Sequence, residues 1–200
     1  MYYSRSGLTL GFHGTDLSVV NKVVKSTEPL QYEGKPYDWL GAGLYFWKNS
    51  PSRALNFAQE IKKYPQFHTS FKVEKPAVLG AVIDLGKCLD FTDYGNLQLL
   101  KKGYEIVKAI HKDIPLNSPE NGNGDSLLRF RDCLVIETLH KEIFGINEYD
   151  SVRAVFWEGK PVYEGAGFRE KNHIQLCIRN PNCIKGYFLP REGDSSHKEV

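Results

Sequence analysis

The chain has 200 residues, 41% hydrophobic and 25% charged, with no long biased tract, which is the composition of one globular domain able to bury a sizeable core. A net charge of +2 is too small to announce nucleic-acid binding and does not exclude it. The opening MYYSRSGLTL lacks a signal-peptide core and no segment approaches a membrane span, so the expectation is a soluble, cytoplasmic protein without a membrane partner.

Taken in order, LTLGFH (8–13) alternates as a strand, and Thr15 or Asp16 then caps a helix reading DLSVVNKVVKS. TEPLQYEGKPYDWLGAG has no period and reads as a long loop, before a short strand GLYFW. Ser50 followed by Pro51 marks a helix start, and Ala54, Phe57, Ala58 and Ile61 give that helix its apolar face. AVLGAVIDLG is a buried-type strand and NLQLLKKGYEIVKAIHKD an amphipathic helix. PLNSPENGNGD is a surface loop, with Asp125 capping a helix LLRFRDCLVIETLHKEIFG that Gly145 stops, its buried face Leu127, Leu128, Cys133, Leu134 and Leu139. A strand SVRAVFW, a loop EGKPVYEGAGFREKN, a strand HIQLCIR and an arm NCIKGYFL complete residues 1–190 as a single domain, and 191–200 reads as a disordered C-terminal tail. Helices clustered between strands favour α+β over a doubly wound sheet.

Several chemistries fail on their motifs. The four cysteines, at 88, 133, 177 and 183, form no CxxC pair and read as reduced core thiols, so no metal is expected. GAG at 41–43 lacks the third glycine of a dinucleotide fingerprint and leads into a strand. Neither a P-loop, HExxH nor GxSxG occurs, and Cys133 with His140 is explained by packing on one helix.

Three fragments occur in a telling order: FHGT at 12–15, GAGLYFW at 41–47 followed by SPSRALNFA, and NHIQLCIR at 172–179. Together they resemble the ADP-ribosyltransferase superfamily of the diphtheria-toxin-like and poly(ADP-ribose) polymerase kind. Its signature is a strand-end histidine in HG[ST], a tyrosine in GxG[IL]YF, and a polar third residue, usually glutamate, on a late strand. The resemblance spans about Leu8 to Phe188 and implies a split β-sheet core with flanking helices, binding NAD as co-substrate.

It further implies that His13 bonds a ribose hydroxyl, that the Gly14 backbone pairs with the nicotinamide carboxamide, and that Thr15 caps the helix beside the adenine-side ribose. Tyr45 stacks on the nicotinamide and Phe57 supplies a second aromatic face, while Ser52 matches a serine that bonds the carboxamide. Each also has an ordinary reading, as a backbone-satisfied histidine, a core phenylalanine or a first-turn serine. Gln175 stands where the family's glutamate usually does; it positions a sugar but carries no charge for an oxocarbenium ion. Glu164 and Glu170, in the loop before it, are candidates for the missing base.

The implied activity is mono-ADP-ribosyl transfer to a macromolecule, protein or nucleic acid, by a toxin or effector with an antitoxin or immunity partner. Arg129, Arg131, Phe168, Arg169 and Lys171 leave room for a nucleic-acid base. An NAD glycohydrolase and an inactive NAD- or ADP-ribose-binding module are the alternatives.

Overall fold

The computed structural model of the chain describes residues 7–32, 34–65, 72–119, 128–144, 149–192 and 196. Its elements are β1 (Thr9–Asp16), α1 (Leu17–Val24), β2 (Leu44–Lys48), α2 (Pro51–Lys63), β3 (Pro76–Ile83), β4 (Cys88–Asp90), α3 (Tyr94–Ile110), α4 (Phe130–Thr138), β5 (Ser151–Phe156), β6 (His173–Ile178) and β7 (Ile184–Phe188). Among the described residues the strands form one mixed sheet in the order β4-β5-β6-β2-β1-β3-β7, antiparallel throughout except for the parallel pair β4–β5. Helices flank both of its sides, so the chain is mixed α/β of the α+β type. None of the described helices is long and apolar enough to cross a membrane.

Strand alternation divides the core. On one side, Phe46, Leu79, Ala81, Ile83, Leu176 and Ile178 pack under Val20 and Val23 of α1. On the other, α2 lies over β1 with Ala54 against Phe12 and Trp47, while α4 covers the β4–β5 end, where Ile136 meets Leu89, Val152 and Ala154. The alanines of α2 are small because the helix lies almost in contact with β1: a Cβ at Gly14 would sit 1.9 Å from the Ala54 carbonyl oxygen. The four cysteines are buried, free thiols.

Several expected boundaries shift. Asp16, not Thr15, caps α1: its carboxylate accepts from Ser18 N at 2.9 Å, and from Glu74 N and Lys75 N, which hold its acid well below the usual range. Thr15 is a buried β1 residue opposite Ala77. Ser50 precedes α2 without a side-chain cap, its place taken by the preset φ of Pro51. The fourth helix starts at Phe130, with Arg129 as its flanking residue, and continues from Leu139 to Phe144 as a π-helix. Its buried face includes Cys133 and Leu139 as expected, and also Val135, Ile136 and His140; Leu134 is only half-buried. Asp125, Leu127, Gly145 and most of the expected tail lie outside the described residues.

Candidate functional site

The middle of the sheet is its weakest join. β1 and β2 pair only at Gly11 with Lys48 and Phe12 with Trp47, after an Asn49 N to Leu10 O bond of 3.0 Å. The Leu10 carbonyl therefore faces β2, and by the two-residue repeat of an antiparallel strand so do the main-chain N–H and C=O of Phe12 and Gly14. Continued in the same register, the ladder would set Gly14 against Tyr45. It stops at Phe12, and His13 takes over the Tyr45 carbonyl.

His13 Nδ1 donates to Tyr45 O at 2.9 Å. A carbonyl only accepts, so Nδ1 carries the hydrogen and Nε2 of the neutral ring is an acceptor. Burial against apolar neighbours, including Phe46 with its ring centroid 5.9 Å away, lowers the His13 pKa and keeps the ring neutral.

Tyr45 points to the opposite side of the sheet. Its hydroxyl donates to Gly41 O at 2.6 Å and accepts from Leu40 N at 2.8 Å, and burial raises its pKa far above the ordinary value. The tyrosine thus pins the turn that precedes its own strand. That turn also explains the GAG motif. Gly41 has φ of +78° and its missing Cβ makes room for Glu137, which accepts from Ala42 N at 2.7 Å and is paired with Arg179. Gly43 passes Cys177 too closely for any side chain.

Gln175 shares the Tyr45 side, two residues along β6 from Cys177, the register partner of Tyr45, and opposite Trp47 and Ala154. It is only 8% exposed, and its Oε1 has no hydrogen-bond partner among the described residues. Two neighbours share that condition: the indole N–H of Trp47 and the Nε2 of His173, whose Nδ1 donates to Lys171 O at 2.7 Å. A donor and two acceptors, all buried and adjacent on β2 and β6, are left unanswered. Each costs about 1–3 kcal/mol in that state.

The carboxylate closest to this group is Glu158, 7% exposed, just past the end of β5. Arg53 Nη2, from the first turn of α2, donates to both of its oxygens at 3.0 and 2.9 Å. Lys171 adds a pair to Glu60 at 2.6 Å and stands 3.7 Å from Glu158, which itself lies 3.8 Å from His173 Nδ1. Arg53 also lies over the Trp47 ring, 5.4 Å from its centroid. These residues tie the 158–172 arm to α2. Sequence reading missed Arg53, Trp47, Glu158 and His173; only the shared side of Tyr45 with Trp47, and of His173 with Gln175, was readable from strand alternation.

The remaining candidates are more dispersed. Phe57 is half-buried against Trp47, with ring centroids 4.9 Å apart. Ser52 is exposed on the first turn of α2, and Glu164 and Glu170 are exposed in the 158–172 arm. Arg129 flanks the start of the fourth helix and Arg131 lies in its first turn. Among the described residues no cluster of His, Cys, Asp and Glu is arranged to hold a metal ion. No family model, curated protein or solved structure matches the chain.

Proposed function

We propose that the chain is a mono-ADP-ribosyltransferase with an ADP-ribosyltransferase-like core, cleaving NAD at the nicotinamide–ribose bond and passing ADP-ribose to a macromolecule. The observation that carries this reading is the end of the β1–β2 ladder at Phe12. It leaves the Gly14 N–H and C=O, which face β2, outside the ladder, and one N–H with one C=O complements a carboxamide. His13, fixed as the Nδ1–H tautomer by Tyr45 O, offers Nε2 as an acceptor for a ribose hydroxyl from the side of the sheet opposite Tyr45 and Gln175. The unanswered set at Trp47, His173 and Gln175 is the complement of a sugar hydroxyl, which donates and accepts at once.

In this reading the nicotinamide leaves with the electrons of its glycosidic bond, and an acceptor nucleophile attacks the anomeric carbon from the other face, losing its proton. Gln175 orients the ribose without charge. Glu158 is the anion of the site, and Arg53, in the first turn of α2, now neutralises it and is a cation that a diphosphate could engage. A role as an inactive NAD-binding module is favoured by one feature, the neutral Gln175.

Purified protein incubated with NAD labelled in its adenylate part, with and without cell lysate, tests the proposal. The expected result is nicotinamide release together with label on a macromolecule, lost on protease or on nuclease digestion. Nicotinamide release without macromolecular label identifies a glycohydrolase. NAD binding without release leaves the inactive module.

A further inference from the structure

A second concave site lies beside the first, between α3, the start of α4 and the outer part of β5. It encloses about 390 Å³ and is lined by Trp39, Phe156 and Tyr104 with Arg129, Arg131 and Asp132, so none of His13, Tyr45 and Gln175 belongs to it. The volume suits a planar heterocycle.

Its chemistry is unusual for a gap in a core. The Arg129 guanidinium lies 4.3 Å from the Trp39 ring centroid and 5.1 Å from that of Phe156. Arg129 donates to Asp132 at 3.2 Å, yet its buried Nε–H has no partner among the described residues. Arg131, bonded through Nε to Pro115 O, lies 5.7 Å from the Tyr104 ring, and Lys108 lies 5.4 Å from the same ring. An aliphatic or aromatic peptide side chain filling this space would leave the Arg129 N–H unanswered and strip water from Arg131. A nucleobase would not: it stacks on rings and guanidinium planes, accepts from Nε–H, donates to Asp132, and brings a phosphate for Arg131.

The surface continues from the pocket in one direction. Val155 is exposed at its edge, and Trp157, next to Phe156, is 62% exposed with the Arg169 guanidinium 6.0 Å from its ring. A ring and an arginine one residue past Phe156 in the chain offer a second stacking platform, which a free nucleotide would not use.

We propose that this surface binds single-stranded nucleic acid, with one base in the Trp39–Tyr104–Arg131 pocket and the next on Trp157. As a binding site it stands on its own residues; as the acceptor site of the transferase it rests on the function proposed above.

The test is fluorescence anisotropy of the full chain with labelled ten-nucleotide single-stranded RNA and DNA, against a duplex and a mononucleotide. The expected result is strand binding that weakens with salt, tighter than to duplex or mononucleotide, and lowered roughly tenfold by Tyr104→Ala or Trp157→Ala. Tyr104→Phe keeps the ring and should bind within about twofold of the parent protein. Arg131→Gln should weaken binding and reduce its salt dependence. All three positions are at least partly exposed, and matching thermal unfolding curves establish that the four variants fold. No strand binding, binding indifferent to Tyr104→Ala and Trp157→Ala, or a preference for the mononucleotide overturns the inference. Strand binding in a protein that never releases nicotinamide from NAD overturns the transferase reading alone.

Discussion

The His13 imidazole occupies the Tyr45 carbonyl that the next rung of the β1–β2 ladder would have used, at 2.9 Å. One side chain therefore ends a ladder and fixes its own tautomer. His13→Asn retains an N–H able to reach the Tyr45 carbonyl and loses the acceptor that Nε2 provides. Nicotinamide release should fall about a hundredfold in His13→Asn and in His13→Ala, while the unfolding midpoint of His13→Asn stays close to the parent. Parent-level turnover in either folded variant would remove His13 from the chemistry.

Tyr45 separates ring from hydroxyl. Tyr45→Phe keeps the ring but leaves Leu40 N without its partner and Gly41 O with only the Cys177 thiol, which should cost about 1–3 kcal/mol in urea unfolding. Tyr45→Ala also opens a cavity and should cost more, with turnover lost. A stacking role predicts that Tyr45→Phe retains most activity below its unfolding range; equal loss in both variants would assign the activity to the hydroxyl.

Gln175 is tested by two substitutions with opposite signs. Gln175→Ala should lower transfer on the order of a hundredfold, as expected when a bond that strengthens in the transition state is removed. Gln175→Glu adds charge to the ribose site and should raise hydrolysis of NAD relative to transfer, read as nicotinamide released per label incorporated. Unchanged ratios in both would make it a strand residue only.

The Arg53–Glu158 pair is buried, so breaking it from one end leaves the other charge stranded. Glu158→Gln and Arg53→Gln should each destabilise by about 3–5 kcal/mol, and the double variant by less than their sum. If Glu158 is the anion of the site, Glu158→Gln loses turnover even at temperatures where it is fully folded, and Glu164→Gln and Glu170→Gln do not. Strict additivity would contradict the pairing.

Acid should loosen the fold through its buried histidines before the carboxylates of lowered pKa titrate. Burial lowers the pKa of His13 and of His173, and takes that of His140 from 6.5 to about 4. A histidine depressed in the folded state binds its proton first in the unfolded chain, so its stabilisation is complete above pH 6.5 and is lost as pH falls toward the folded value. For His140 that interval is worth roughly 3 kcal/mol. Urea midpoints should drop between pH 6.5 and 4.5, and less steeply in a His140 variant. A flat profile there would contradict the buried, neutral state of these rings. Asp16, Asp90 and Glu137, whose pKa values are lowered, lose their contribution only at more acid pH.

Local signals carried much of the fold. Proline at 51 and the spacing of Ala54, Ala58 and Ile61 placed α2, and the apolar run at 173–178 placed β6, because both depend on neighbours in the chain. β4 left no trace: it is three residues long, and its partner β5 begins at Ser151. The fourth helix starts later than its pattern predicts, since Asn117, accepting from Arg131 N at 2.9 Å, does the work of a cap from outside the segment. At the site, the motifs marked His13, Gly14 and Tyr45 as special. They could not reveal that Gly14 also admits α2, or that Glu158 is held by an arginine 105 residues away.

Among the described residues the arm from 158 to 172 is fastened to α2 by ion pairs at its base, while its outer part closes on itself through Val162 N to Phe168 O and Ala166 N to Tyr163 O. Arg53 holds Glu158, Glu60 holds Lys171, and Lys171 N closes the base on Glu158 O at 3.0 Å, whereas Val162, Tyr163 and Phe168 stand in solvent. The tip is accordingly an exchangeable cassette. Its residues can drift, lengthen or be grafted from another chain without disturbing the ion pairs that anchor it, so the tip can diversify while the scaffold stays constant.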